Sequence, residues 1–194
     1  MSELLLGCGF ARKKLLALPG EPHEWKDLVT LDNNEACKPD LRCDLDYFDA
    51  FGCWLIQHVF TKRAYECTRD TGHHIDDSQF DEVHAYEVLE HLGQQGDARS
   101  FFLCFENVWR VLKPGGHLFA TVPSRYSAWL WGDPSHRRVI CAESLAFLSQ
   151  EVIAKNRAQG SAMSDFSALW TRDFKVLSAQ DNHTSFIFCL QAIK

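Results

Sequence analysis

The feature that most constrains this chain is a short apolar run near its start, Leu4-Leu5-Leu6, that ends in Gly7-Cys8-Gly9. An unbroken apolar run of this length reads as a strand buried on both faces, as in the middle of a parallel sheet. Glycines directly after such a strand allow a sharp turn and a close approach of backbone to a ligand. The same glycine pair is also an ordinary turn signal, so its meaning depends on the rest of the chain.

Residues 10–18 leave room for two turns of helix before the Pro19-Gly20 break. The cluster Arg12-Lys13-Lys14 within them reads as a solvated face, or as an anion contact beside the glycine loop. A second strand, Asp27-Leu28-Val29-Thr30-Leu31-Asp32, ends in an acid followed by Asn33-Asn34. Asp32 follows Gly9 by 23 residues, near the ~20-residue spacing at which a doubly wound sheet places an acid on a ribose hydroxyl. An Asp before Asn is also a common turn starter. Residues 39–45 make a short third strand with Asp44 near its end. From Asp46 to Phe60, Tyr47, Phe48, Phe51, Leu55 and Val59 fall near helical spacing, which predicts an amphipathic helix. The polar residues 61–79 read as an inserted loop.

A fourth strand is expected at 81–86, with a turn from Glu87 to His91. Asp97 is placed to cap a helix whose Phe101, Phe105, Val108, Trp109 and Leu112 share one face, and Pro114-Gly115-Gly116 stops it. A fifth strand covers 117–123. Residues 124–140 are irregular and a helix is expected at 142–157, so that 124–160 forms a substrate-side or lid segment. Two final strands, at 172–179 and 184–193, pair antiparallel about Asp181-Asn182.

With 194 residues the chain suits one domain, 1–194. Its net charge of −6 disfavours a broad nucleic-acid surface. No apolar run reaches the ~20 residues of a membrane span. The N-terminus lacks a secretory signal and several of the eight cysteines lie in apolar runs, so they are expected to be reduced, in a cytoplasmic protein. Cys53, Cys67, His73 and His74 match no compact zinc module, and no metal site is expected.

Alternating strands and helices that close on an antiparallel pair give a three-layer α/β/α sandwich. Its sheet is doubly wound, seven-stranded and mostly parallel, with an antiparallel last strand. Four segments in order resemble the class I S-adenosylmethionine-dependent methyltransferase family: Leu6-Gly7-Cys8-Gly9, Leu31-Asp32, Phe80-Asp81 through His91, and Leu112-Lys113-Pro114-Gly115-Gly116-His117-Leu118. The family's acid two residues before the first glycine is replaced here by Leu5, and a common third glycine by Ala11.

By that resemblance, Gly7, Cys8 and Gly9 lie against the methionine part of S-adenosylmethionine. Asp32, with Asn33 beside it, holds the ribose, and Asp44 and Leu45 contact the adenine. Tyr86 and Glu87 border the methionine amino group and the sulfonium. The family's usual N-terminal helix over the cofactor is not expected here, because the sequence begins directly at strand one, so a partner subunit such as a second copy, residues 61–79 or residues 124–140 would cover it. Candidate catalytic groups are His136, Glu87 and His91, with Glu90 and Asp133 also near the expected cleft. The turn after strand four lacks the Asp/Asn-Pro-Pro-aromatic signature of amino-methylating DNA enzymes, and no Pro-Cys dipeptide offers cytosine C5 chemistry. A small-molecule acceptor is therefore expected. The competing readings are a catalytically inert methyltransferase-like binding module and a nicotinamide dehydrogenase.

Overall fold

A computed structural model describes residues 1–48, 54–59 and 75–194. Among the described residues, eight strands form one sheet: β1 (Glu3–Leu6), β2 (Leu28–Asp32), β3 (Leu41–Phe48), β4 (Trp54–Val59), β5 (Phe80–Tyr86), β6 (Leu112–Pro123), β7 (Asp173–Asp181) and β8 (Ser185–Ile193). Their order is β4-β3-β2-β1-β5-β6-β8-β7. β1 pairs parallel to β2 and β5, β2 to β3, and β5 to β6, while β8 runs antiparallel to β6 and β7. Without β4, the order is that of the expected doubly wound, seven-stranded sheet with its antiparallel last strand.

The expectation of a helix from Asp46 to Phe60 is corrected. Within the described part, β3 continues to Phe48, and β4 adds a further antiparallel edge strand, with Leu41 opposite Val59 and Phe48 opposite Trp54. Trp54 is fully buried, and its backbone N–H donates to Asn107 Oδ1 at 3.0 Å. A short apolar stretch satisfies strand and helix periodicity alike, and here sheet pairing decides. Residues 61–74, most of the expected insertion, lie outside the described residues, as do Cys53, Cys67, His73 and His74.

Four helices are described: α1 (Ala98–Val111), α2 (Ala128–Gly132), α3 (Ala142–Leu145) and α4 (Gln150–Ala158). Asp97 caps α1 as expected, accepting from Ser100 N at 3.1 Å. Phe102, Phe105, Val108 and Val111 of α1 share one core with Leu4, Leu6, Val29, Leu31, Val83, Ala85, Leu118 and Ala120 of the sheet. The single helix expected at 142–157 is instead α3, a 3-10 turn at Ala146–Leu148, and α4. Ser149 sits extended and caps α4 by accepting from Val152 N, while Gln150 N is tied to Asp173 Oδ1. Serine readily trades a helical position for a cap.

The opposite face of β1 carries Leu5, Cys8 and Cys37, packed against Trp25, Leu28 and Tyr86. No helix forms over 10–18, contrary to expectation. Two turns are marginal on their own, and the N–H groups of Leu15 and Leu16 are taken by the Tyr86 hydroxyl, each at 3.2 Å. Lys14 is not on a solvated face: it is 3% exposed and pairs with Glu3 at 2.5 Å and Glu82 at 2.7 Å. Glu3 also accepts from Lys26 N at 2.7 Å. Glu82 meets His84 Nε2 at 3.0 Å, and His84 Nδ1 meets the Tyr86 hydroxyl at 2.7 Å. A buried polar network thus pins an irregular segment where a crossover helix would otherwise lie.

This network sets the acid side of the stability curve. Burial alone would raise the Glu82 carboxyl, but bonds from His84 and Lys14 outweigh it and hold it at about 2, against 4.5 ordinarily. Burial lowers His84 from 6.5 and keeps the ring neutral. Unfolding therefore takes up protons that the folded groups refuse. The stability from His84 is present above pH 6.5 and lost below it; that from Glu82 is present above 4.5 and lost toward about 2. Unfolding midpoints in urea are expected to fall as the pH is lowered from 4.5 to 3, the window in which Glu82 resists protonation in the fold. Equal midpoints at pH 4.5 and 3 would contradict this account.

Candidate active site

The loop after β1 turns through two left-handed glycines, Gly7 at φ +57° and Gly9 at φ +49°. A Cβ on Gly7 would sit 2.5 Å from Val88 Cγ2, so the close packing of the two strand tips requires glycine there. Gly9 N donates to Asp32 Oδ2 at 2.8 Å, and Asn34 N donates to Asp32 Oδ1 at 2.8 Å. The carboxylate thus clamps the glycine loop to the tip of β2 and keeps further lone pairs for a ligand. Cys8 N donates to Leu31 O at 3.2 Å, and its thiol points away into the small core, 3.9 Å from the Cys37 thiol. Burial, with Cys37 beside it, pushes the Cys8 thiol up to about 12, which keeps it protonated.

A cavity of about 360 Å³ lies beyond the carboxyl ends of β1 and β2, against the middle of β3, at the point where strand order reverses between β1 and β5. Open α/β sheets bind their ligands at this place. Gly7, Asp32, Asn33, Asp44 and Leu45 line it, as do Cys43, Val88, His91 and Leu92. Of the expected cofactor residues, five are therefore gathered on one cavity. Cys8, Gly9, Tyr86 and Glu87 do not line it. The Tyr86 hydroxyl is engaged with His84 and residues 15–16 on the far face. Glu87 is exposed at the β5 tip, at φ +52°, with its N–H on Thr121 O at 2.8 Å.

Beside the cavity, the turn after β5 is stitched to residues 133–138. Glu90 O accepts from Arg137 N and Arg138 N at 2.8 and 3.1 Å. Arg138 donates to Leu92 O, Gln94 O and Asp97 O. Asp46, on β3, accepts from Gly93 N and pairs with Arg137 at 2.6 Å. These ties bring His136 to His91, with ring centroids 4.8 Å apart in an edge-to-face arrangement. His91 Nδ1 donates to Ser135 O at 3.2 Å and His136 Nδ1 to Leu130 O at 3.3 Å. A carbonyl only accepts, so both Nδ1 atoms carry hydrogen.

By sequence Glu90 is only a minor candidate, yet it is fully buried between the two histidines. Burial pushes its carboxyl up to about 8, and the nearby Glu87 and Asp133 charges add to the rise. A carboxylate directly after apolar Val88-Leu89 in a strand-tip turn is the signal that could have found it.

Residues 54–120 match a sequence family described as a methyltransferase domain. No curated protein matches the chain in sequence. Among solved structures, a S-adenosylmethionine-dependent methyltransferase from Clostridium acetobutylicum is similar over 100% of this chain and 84% of its own, at 10% identity and a TM-score of 0.54. The N-methyltransferase NodS from Bradyrhizobium japonicum, solved with S-adenosyl-L-homocysteine, is similar over 100% and 78%, at 16% identity and a TM-score of 0.50. The [4+2]-cyclase SpnF is similar over 99% and 74%, at 13% identity and a TM-score of 0.51. The chain has the Rossmann-like fold of the class I S-adenosylmethionine-dependent methyltransferases, and its residues 54–120 match a family described as a methyltransferase domain.

Proposed function

We propose that the chain binds S-adenosylmethionine in the 360 Å³ cavity and transfers its methyl group to a small-molecule acceptor. One observation carries the choice of cofactor: the Gly9 N–H is bonded to Asp32, and among the described residues the cavity wall offers two carboxylates, Asp32 and Asp44, but no Lys or Arg. A dinucleotide needs free loop N–H groups and a helix N-terminus for its pyrophosphate. Here no helix follows the loop over residues 10–18. A ligand bearing a sulfonium and an ammonium suits acidic walls, and ribose hydroxyls suit Asp32. The cavity falls within the ~300–1,000 Å³ of small-molecule sites.

In the reaction, the bond from methyl carbon to acceptor forms as the bond to sulfur breaks. Positioning supplies most of the acceleration, and a base is needed only for an acceptor that carries a proton. His91 borders the cavity, and His136 packs on it. We assign this pair, with Glu87 at the β5 tip, to the acceptor side.

Calorimetric titration tests the reading. Micromolar binding of S-adenosylmethionine and S-adenosylhomocysteine is expected, with no binding of NAD. His136→Ala should leave both affinities within about twofold, since that ring is absent from the cavity wall. Absence of binding to any of the three would favour the inert-module reading, for which the missing helix over 10–18 and the altered glycine loop speak. SpnF, named as a cyclase, shows that the fold alone does not assign methyl transfer.

A further inference from the structure

The turn after β5 and the segment 133–138 converge three hydrogen-bond acceptors on one point. Each imidazole donates through Nδ1 to a backbone carbonyl, which in the neutral ring leaves Nε2 with a bare lone pair. Both lone pairs lie near the same atom: Glu90 Oε1 is 3.8 Å from His91 Nε2 and 3.9 Å from His136 Nε2. One donor atom from each of the three side chains lies within 4.8 Å of the others. Among the described residues, neither Glu90 carboxylate oxygen has a hydrogen-bond partner, although the side chain is only 1% exposed. A buried carboxyl without a partner is costly; a proton on it could serve only one of the two Nε2 atoms, whereas a cation between the three donors serves all of them.

We infer that Glu90, His91 and His136 form a binding site for a divalent transition-metal ion of the zinc type. Two imidazoles and one carboxylate are a donor set of catalytic zinc sites, which keep the remaining position for water or substrate. An ion at about 2.1 Å from each donor asks for ~3.4 Å between donors in an ideal tetrahedron, so the two Glu90 contacts need to close by about half an ångström and the widest pair by at most about 1.4 Å. The hydrogen bonds from Nδ1 to Ser135 O and Leu130 O fix tautomer and ring orientation, as outer partners of metal-bound histidines do. The ligand backbone is held as well, since Glu90 O binds the N–H groups directly after His136. His91 lines the cofactor cavity and is the most exposed of the three, so the open position faces the cavity.

The other described clusters do not compare. Lys14 already neutralises Glu3 and Glu82, and the Cys8 thiol, buried beside Asp32 and Cys37, is held protonated.

The acceptor class comes with the ion, and this step alone rests on the methyltransferase reading. A hydroxyl or thiol acceptor bound at the open position loses its proton to solvent more readily beside the ion. The resulting oxyanion or thiolate attacks the sulfonium methyl, the carbon–sulfur bond breaks, and neutral S-adenosylhomocysteine leaves.

The test uses neither cofactor nor acceptor. Chelator-stripped full-length chain is titrated with Zn²⁺ by calorimetry and with Co²⁺ by absorption. The expected result is one ion bound with micromolar or tighter affinity, and a tetrahedral or five-coordinate cobalt spectrum without a thiolate charge-transfer band. His136→Ala and Glu90→Gln should each weaken binding at least about 100-fold, beyond the 10–100-fold cost of losing an outer partner. Circular dichroism checks that each variant is folded, and His136→Cys, which restores a ligand, should recover binding and add the thiolate band. Three outcomes would overturn the site: no stoichiometric ion, undiminished affinity in folded His136→Ala, or a thiolate band in the parent chain. Failure of S-adenosylmethionine to bind would leave the zinc titration unchanged, so the two readings fail separately.

Discussion

Replacing Lys14 with methionine is expected to lower the unfolding free energy by about 3–5 kcal/mol, the range for breaking a buried ion pair by removing one partner. The ammonium is the single counter-charge that the structure describes for Glu3 and Glu82, at 2.5 and 2.7 Å, and all three side chains are at most 2% exposed. Methionine keeps the apolar stem and its packing near Trp25, so the loss is one of charge rather than volume. Two carboxylates are then left facing each other across the sheet without compensation. Denaturant unfolding of the parent and the variant measures the difference. A variant that also carries Glu3→Gln and Glu82→Gln should recover a large part of the loss, because no uncompensated charge remains. A loss below about 1 kcal/mol in Lys14→Met would mean that the segment over β1 is held by its apolar contacts instead. The effect should reach the cavity as well, since residues 10–18 join directly to the glycine loop and hang from Glu3, Glu82 and Tyr86.

How far the sequence speaks differs from element to element, for physical reasons. β1, β2, β5, β6 and the β7–β8 pair are continuous apolar or alternating runs bounded by turn residues, and a run that must be buried has few alternatives. α1 is marked by a capping Asp97 and one apolar face. Asp32 is legible from its distance to Gly9, because a strand, a connection and a second strand fix that spacing.

The features that stay hidden depend on partners far away in sequence. Lys14 looks like one charge in a basic cluster until Glu82, 68 residues on, is folded against it. β4 reads as a helix until β3 offers it an edge. The Glu90, His91 and His136 trio exists only because residues 133–138 fold back on the β5 turn, so no local spacing encodes it. Tyr86 stands at the right place in the sequence, but strand alternation points its ring away from the cavity, toward His84 and residues 15–16.

Asp32→Ala is expected to weaken S-adenosylmethionine binding by about 10- to 100-fold while the protein stays folded. The carboxylate acts twice. It accepts from Gly9 N and Asn34 N, fixing the loop that walls the cavity, and it presents its remaining lone pairs to the ribose. Hydrogen bonds to a charged group contribute ~1.5–3 kcal/mol each, so loss of the ribose bonds alone reaches tenfold, and loosening of the loop adds to it. The fold should survive, because Asp32 is partly exposed at a strand tip and the N–H groups it releases can turn to water. Asp32→Asn separates the two parts: its side-chain oxygen can still accept from Gly9 N, but the charge is gone, so its affinity should lie between those of parent and alanine variant. Calorimetry on the three proteins, with circular dichroism as the check on folding, decides it. Unchanged affinity in Asp32→Ala would remove the ribose assignment and move the cofactor's sugar away from β2. Loss of binding by Asp32→Ala together with full affinity in Asp32→Asn would show that the clamp on the glycine loop, and not the charge, makes the site.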